Sequence, residues 1–355
     1  MGFWLMAWEK LGTTSVGGSV ANTSWKELGR TTLGSSSAEV DKSSLTAKDN
    51  IMILAYYTGD STADSFINFN GDEAGNYASR YSRDGGSDST DTSQSVGLRL
   101  EQGRTTPQFS VMNITNISAQ EKLVNGHTVS QNTAGAGNEP HRQEWVGKWA
   151  NTSAQITQAT LDRASGNFTS GSEIVVLGYD NDEADSGTNF WQELASVTRT
   201  DNGSTLESGN FAAKKYLMVE ACTIPANNGF KGRLEFGHSN GTMDTGSNYT
   251  DRYSQDGGSH SAQANGSYIY AYTNHDDNIQ HLKMFIVNKS DKEKLVLWWA
   301  SSGGSSTGAG NVPQRRDGVA KWTNTSNQIT NIRLNNQVAG GDAASGSYIK
   351  VYGAD

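Results

Sequence analysis

Asn76-Tyr77-Ala78-Ser79-Arg80-Tyr81-Ser82-Arg83-Asp84-Gly85-Gly86-Ser87 reads as a strand running into a tight turn. The same phrase returns as Asn248-Tyr249-Thr250-Asp251-Arg252-Tyr253-Ser254-Gln255-Asp256-Gly257-Gly258-Ser259. Working outward, Trp25-Lys26-Glu27-Leu28 recurs as Trp191-Gln192-Glu193-Leu194, and the apolar run from Ile51 recurs from Leu217, both at a shift of 166. Glu121-Lys122-Leu123-Val124 recurs as Glu293-Lys294-Leu295-Val296 at a shift of 172, and Gly135-Ala136-Gly137-Asn138-Glu139-Pro140 as Gly308-Ala309-Gly310-Asn311-Val312-Pro313 at 173. The shift changes only between blocks, so insertions fall in turns. Self-similarity on this scale means one ancestral unit written twice. It divides the chain into an N-terminal arm or strand (1–24), repeat one (25–180), an acidic linker (181–190) and repeat two (191–355).

Each repeat is expected to be an antiparallel β-sandwich. In repeat one, β-favouring runs occur near Ile51–Tyr57, Phe66–Phe69, Tyr77–Tyr81, Val96–Leu100, Phe109–Ile117, Leu123–Val129, Glu144–Trp149, Ile156–Leu161 and Ile174–Tyr179. Turn residues separate them at spacings near ten, the pattern of a sandwich or barrel rather than of βαβ units. The 40 Gly against 4 Pro fit many tight turns. Only 34% of residues are hydrophobic, so the core must be thin and must lean on the 9 Trp, 13 Tyr and 10 Phe. The expected fold class is all-β: two tandem jelly-roll-like sandwiches of two four-stranded sheets each, with a concanavalin-like sandwich as the competitor.

The formal charge of −9, with no clustered Lys or Arg, argues against a nucleic-acid partner. Cys222 is alone and lies in an apolar run, so no intrachain disulfide forms and a buried, inert thiol is expected. The opening Gly2–Ala7 is apolar but short and lacks a basic flank; neither a cleaved leader nor a membrane span is expected from it.

Reactive side chains do not gather at the shared motifs, so no enzyme activity is expected. His127 and His141 lie outside the shared framework and read as surface or loop polarity. A triad of His127, Asp162 and a serine lacks any nucleophile elbow. The charges that do recur, Arg80 with Arg252 and Asp84 with Asp256, are candidate ligand contacts; otherwise Asp caps a turn, and Arg joins the recurring Glu121 and Glu293 in local pairs. Tyr268, Tyr270 and Tyr272 alternate as if on one strand face, the pattern of a packed sheet face or a subunit contact; with Tyr56, Tyr57, Trp298 and Trp299 they are also candidate sugar-stacking rings. Asp180, Asp182 and Asp185 supply hard oxygen ligands for a structural calcium, although their spacing departs from the calcium-loop pattern. No other cofactor is indicated.

Trp8-Glu9-Lys10-Leu11-Gly12 echoes Trp25-Lys26-Glu27-Leu28-Gly29. Such a spare first strand needs an edge to pair with, on its own chain or on a neighbour. Trp8 and Leu11 are therefore candidate assembly residues in a homo-oligomer.

The blocks Trp25–Gly34, Tyr77–Tyr81 and Gly147–Thr157 resemble repeat domains in structural proteins of marine viruses and tailed bacteriophages. The resemblance implies localisation to the virion, as a capsid, decoration, spike or tail component with other virion proteins as partners, and it names no catalytic residues. The alternative expectation is a carbohydrate-binding or host-adhesion module whose partners are host-surface glycans. Deleting residues 1 to 20 is expected to lower the assembly size in light scattering while leaving the circular dichroism of both repeats intact; an unchanged assembly size rejects a role for the arm.

Overall fold

The computed structural model describes residues 25–181, 189–227, 229–238, 241–272, 278–304 and 308–355. The arm residues Trp8 and Leu11, and Asp182 and Asp185 of the linker, lie outside them. The described chain is all-β, and each repeat is an antiparallel, jelly-roll-like sandwich.

Repeat one comprises β1 (Lys26–Thr32), β2 (Val40–Lys42), β3 (Asn50–Tyr57), β4 (Ser65–Phe69), β5 (Tyr77–Arg83), β6 (Ser89–Gln94), β7 (Leu98–Glu101), β8 (Gln108–Thr115), β9 (Lys122–Ser130), β10 (His141–Trp149), β11 (Ala159–Arg163) and β12 (Glu173–Tyr179). Repeat two comprises β13 (Gln192–Thr198), β14 (Thr205–Glu207), β15 (Tyr216–Thr223), β16 (Pro225–Asn227), β17 (Gly232–His238), β18 (Thr242–Met243), β19 (Tyr249–Gln255), β20 (Ser261–Gly266), β21 (Gln280–Val287), β22 (Lys294–Ser302), β23 (Gln314–Trp322), β24 (Asn331–Asn336), β25 (Gly341–Ala343) and β26 (Tyr348–Ala354).

All nine apolar runs of repeat one form strands, but they do not divide into two four-stranded sheets. The large sheet has eight strands in the order β1-β12-β3-β8-β9-β10-β5-β6 and faces a four-stranded sheet, β2-β11-β4-β7. Repeat two has the same large-sheet order, β13-β26-β15-β21-β22-β23-β19-β20. The additional strands β1, β2 and β6 are short or polar: β6 reads Ser-Thr-Asp-Thr-Ser-Gln and is mostly exposed at a sheet edge. Such a strand is held by ladder hydrogen bonds rather than by a buried face, so it leaves no hydrophobic alternation to detect.

Inner faces of the sheets form one core per repeat. Ile51, Ile53, Ala55 and Tyr57 of β3 pack with Ile67, Phe69, Leu161 and Trp149; Leu217, Val219 and Ala221 of β15 pack with Leu234, Phe236, Leu334 and Trp322. Each core has the same polar anchors. Trp149 Nε1 donates to Asp72 over 2.6 Å and Trp322 Nε1 to Asp244 over 2.7 Å. The side-chain Oδ1 of Asn116 accepts the Ile156 amide, and that of Asn288 accepts the Ile329 amide, both over 2.7 Å. These bonds satisfy buried donors that would otherwise cost about 1–3 kcal/mol each.

One slot of the core is filled from different strands in the two repeats. In repeat one Trp145 of β10 lies over Gly126, its cross-strand partner on β9, and a Cβ at Gly126 would stand 2.1 Å from the indole. In repeat two the indole belongs to Trp298 of β22 and the glycine is Gly318 of β23, with the corresponding distance 2.2 Å. The large and the small residue have changed places across the ladder, and the packed volume is kept.

Trp145→Gly alone should cost about 3–5 kcal/mol in chemical unfolding. Adding Gly126→Trp, which recreates the arrangement of repeat two, is expected to recover most of that loss; a double variant no more stable than the single one rejects the equivalence.

Candidate functional site

The outer faces of the two large sheets meet, which buries β3 and the first half of β15 on both sides. Met52, Leu54 and Tyr56 point away from the first core into a third apolar cluster, together with Trp25, Phe109, Val111, Val129 and Tyr179. From repeat two this cluster receives Phe190, Trp191, Tyr216, Met218, Phe285, Leu295, Leu297, Val319 and Tyr352. The burial corrects the expectation that Tyr56, Tyr57 and Trp298 are exposed stacking rings: all three are core residues. His127 is likewise not surface polarity. It is buried with its ring centroid 5.1 Å from that of Trp299, the residue at its own position in the other repeat.

Equivalent residues of the two repeats thus meet near a local two-fold relation, but the two halves of the contact differ in chemistry. On one side Leu54, Phe109, Val111 and Val129 of repeat one join Phe285, Leu295, Leu297 and Val319 of repeat two in the shared core. On the other side the corresponding positions of repeat two are Glu220, His281, Lys283 and Ser301, and those of repeat one include Asn113, Asn125 and Val146. These residues line an open cleft of about 690 Å³. A buried Leu, Val or Phe contributes about 1.5–3 kcal/mol, so the apolar half closes like the spine of a book and the polar half stays apart.

The cleft combines rings with hydrogen-bonding groups. Trp299, edge-on to Phe285 at 6.1 Å, and Trp145 supply aromatic surface. Glu144 and Asp317, which occupy equivalent positions, stand on the two walls. Burial pushes both carboxyls above their ordinary values, against the pull of Arg142 on Glu144 and of Arg315 and Arg142 on Asp317. Arg142 pairs with Glu144 over 3.0 Å and donates to the Asp317 carbonyl over 2.7 Å, tying the walls together. Lys283 pairs with Glu220 over 2.9 Å, and burial, opposed by Glu220, pushes the ammonium down to about 8. Burial lowers His281, and burial together with Arg142 holds His127 well below the usual imidazole range, so both rings are neutral at pH 7. Neither ring nitrogen of His127 has a protein partner.

The residues singled out in the sequence fall in different places. Arg80 is exposed on the cleft wall, 3.4 Å from Asp88. Its counterpart Arg252 crosses to repeat one, donating to the Pro140 carbonyl over 2.9 Å and lying 3.4 Å from Asp84. Asp84 and Asp256 both sit in turns at positive φ, 48° and 54°, where each accepts a backbone amide, from Arg142 and Arg315 respectively. Burial works to raise the Asp84 carboxyl, but the His141 ring, the Arg142 amide and Arg252 outweigh it, and the group lies below its ordinary value. Tyr268 and Tyr270 touch, hydroxyl to hydroxyl at 2.7 Å, whereas Tyr272 turns into the core of repeat two with Ile269 and Ala271. The three do not share a strand face, because no strand forms over Tyr268–Tyr272. Asp180 is engaged by Lys48 at 2.8 Å and by the Asp49 amide at 3.0 Å. Among the described residues no group of three His, Cys, Asp or Glu side chains is placed to hold a metal. Cys222 is half-buried rather than buried, because it replaces Tyr56 at the edge of the contact; burial raises its thiol. Asp162 lies on β11 of the small sheet, so the paper triad with His127 does not assemble.

The cleft residues Asn113, Asn125, Glu144, Glu220, His281, Lys283, Ser301 and Asp317 were not singled out in the sequence. For all but Glu144 and Asp317, which are acidic in both copies, the signal was the difference between the copies: polar residues stand opposite Phe, Leu or Val at alternate strand positions, as in Asn113 against Phe285 and Glu220 against Leu54.

No family model matches the sequence, and no curated protein matches it. Similar solved structures include domains LG4-5 of the mouse laminin alpha1 chain, at 8% identity over 96% of this chain and 92% of that chain, with a TM-score of 0.20. Neisserial surface protein A follows at 7% identity over 82% and 99%, with a TM-score of 0.13. Ail, the attachment invasion locus protein of Yersinia pestis, is similar at 7% over 78% and 99%, with a TM-score of 0.11. Likenesses this distant carry no argument about the chain.

An ionised Asp317 is disfavoured more in the folded than in the unfolded state. Its penalty is absent only well below pH 4, where the unfolded carboxyl is protonated as well; it grows as the pH rises above the unfolded value and is complete once the pH has passed the raised folded value. Asp317→Asn removes that titration, so the variant should gain stability relative to wild type between pH 4 and pH 7 in parallel denaturant melts. A stability difference independent of pH contradicts this.

Proposed function

We propose that the protein is a non-catalytic, saccharide-recognising adhesion module, with a neutral oligosaccharide bound in the cleft between the two large sheets. The observation that carries this reading is the polar half of the inter-repeat contact: positions that could have closed as an apolar core hold Asn113, Asn125, Glu220, His281, Lys283 and Ser301 around the partly exposed Trp299. A sugar suits such a lining because its C–H face packs on an indole while its hydroxyls both donate and accept. The cleft offers acceptors in Glu144 and Asp317 and donors in Asn113, Asn125 and Lys283, without a strong excess of either charge. The unpartnered, neutral ring of His127 beside Trp299 adds a group able to donate and to accept.

The setting we propose is the surface of a virion, on the resemblance of the repeated blocks to viral structural proteins. A structural role there is the second reading, and the observations favouring it are the exposed Leu123 and Val146 on the outer face of repeat one and the exposed Val312 in the Gly308–Pro313 turn of repeat two.

A glycan array with the purified protein, followed by calorimetry on the best neutral oligosaccharide, tests the main reading. Trp299→Ala and, on the opposite wall, Asn125→Ala should each weaken binding about tenfold or more, equivalent to about 1.4 kcal/mol. Absence of binding to any neutral oligosaccharide, or binding indifferent to both substitutions, overturns it.

A further inference from the structure

The closed side of the inter-repeat contact consists of a turn seated in a socket. The turn is Gly135–Pro140 of repeat one, and the socket is the outer face of repeat two where β20, β22 and β23 lie. The Gly135 amide donates to Glu293 Oε1 over 2.6 Å, Lys321 Nζ to the Thr133 carbonyl over 2.5 Å, and the Asn265 amide to the Ala136 carbonyl over 2.8 Å. Arg252 closes the rim on Pro140 and Asp84. Beneath the turn, Leu295 and Val319 are fully buried, and the Lys321–Glu293 pair, 3.2 Å apart, is 0% and 5% exposed.

Duplication has given each repeat both parts, and one of each remains unused. The socket of repeat one has Glu121, Leu123, Val146, Lys148 and Arg80 at the positions of Glu293, Leu295, Val319, Lys321 and Arg252. It is open: Leu123 is 57% and Val146 49% exposed, and the Glu121–Lys148 pair is 43% and 44% exposed. These residues, except Glu121, line a trough of about 620 Å³. Its edge strand has the same local shape, since Ser93 and Asn265 both have φ of 52°. The unused turn is Gly308-Ala309-Gly310-Asn311-Val312-Pro313. Gly308 matches Gly135 in φ, 92° against 91°, and Asn311 and Asn138 each donate a backbone amide to the glycine three residues before. Val312 is 81% exposed, and Ala309 and Pro313 are exposed where Ala136 and Pro140 are buried.

We infer that a second copy of this chain docks on repeat one, seating its Gly308–Pro313 turn in the Leu123/Val146 trough. The contacts follow from the seated pair: Arg80 of one copy meets the Pro313 carbonyl and Asp256 of the other, and the Gly308 amide meets Glu121. Leu123 and Val146 then lose water as Leu295 and Val319 do. Deeper on the sheet the copies differ, with Asn113 and Asn125 where the seated socket has Phe285 and Leu297. The contact between chains therefore lacks the apolar spine and is reversible. Heterologous contacts of this kind either close into a ring or continue as a filament.

Sedimentation velocity over a concentration series tests the inference. The wild-type chain should associate as concentration rises. Arg80→Glu and Asp256→Arg, both at exposed positions, should each leave a folded monomer, checked by circular dichroism. Mixing R80E chains with D256R chains should restore association, because the reversed charges then face each other between molecules. A wild-type chain that stays monomeric throughout overturns the inference. So does association unaffected by either substitution, or a mixture that remains monomeric. Because Arg80, Asn113, Asn125 and Val146 line both the cleft and the trough, the series is run without saccharide, which keeps its outcome separate from sugar binding.

Discussion

A β-sheet has two faces, and in this protein the large sheet of each repeat is apolar on both over half of its width. β3 reads Asn-Ile-Met-Ile-Leu-Ala-Tyr-Tyr, with odd positions facing the small sheet and even positions facing away. A strand of this kind cannot leave one face wet, and neither repeat alone can cover it. The outward row of β3 shares one apolar cluster with the outward rows of β15, β21 and β22, and four layers of sheet form with three apolar seams. The linker composition matters less to the relation between the repeats than this seam, in which Phe190 and Trp191 at the start of repeat two already pack.

The same constraint accounts for the cleft. A duplicated unit that meets its twin near a two-fold axis presents every contact twice, once on each side of the axis. Where one side is apolar and the other polar, the first closes and the second opens, and the dividing line passes through the side chains nearest the axis: His127 with Trp299, and Glu144 with Asp317. Arg142 holds that line by bonding to both walls. The inner cores gain nothing from this divergence and retain matching anchors in both halves.

Much of the fold was legible because the inward rows are apolar and regular. Every apolar run of repeat one is a strand, and the blocks shared by the repeats hold equivalent places. What escaped notice was whatever depends on the second face. Tyr57 and Trp298 looked like free rings because a sequence does not say which of two neighbouring rings points inward, and Tyr56 because it does not say that an outer face will be covered by another domain. His127 looked peripheral for the same reason. The polar edge strands β1, β2 and β6 escaped because their pairing is a matter of backbone hydrogen bonds. The cleft is written in the sequence mainly as differences between the copies, whereas the fold is written in what they share. Arg252 and Asp84 were both singled out, yet their meeting across the repeats, while Arg80 and Asp256 stay apart, is a tertiary fact.

The exchanged indole carries a consequence for how this architecture tolerates recombination. Trp145 over Gly126 and Trp298 over Gly318 fill one cavity by opposite assignments. Transplanting β9 or β10 alone from one repeat to the other would leave the cavity with two indoles or with none, while transplanting the pair would leave it correctly filled. The heritable module is therefore the hairpin, not the strand, and position-by-position scoring of the two halves understates how alike they are as solids.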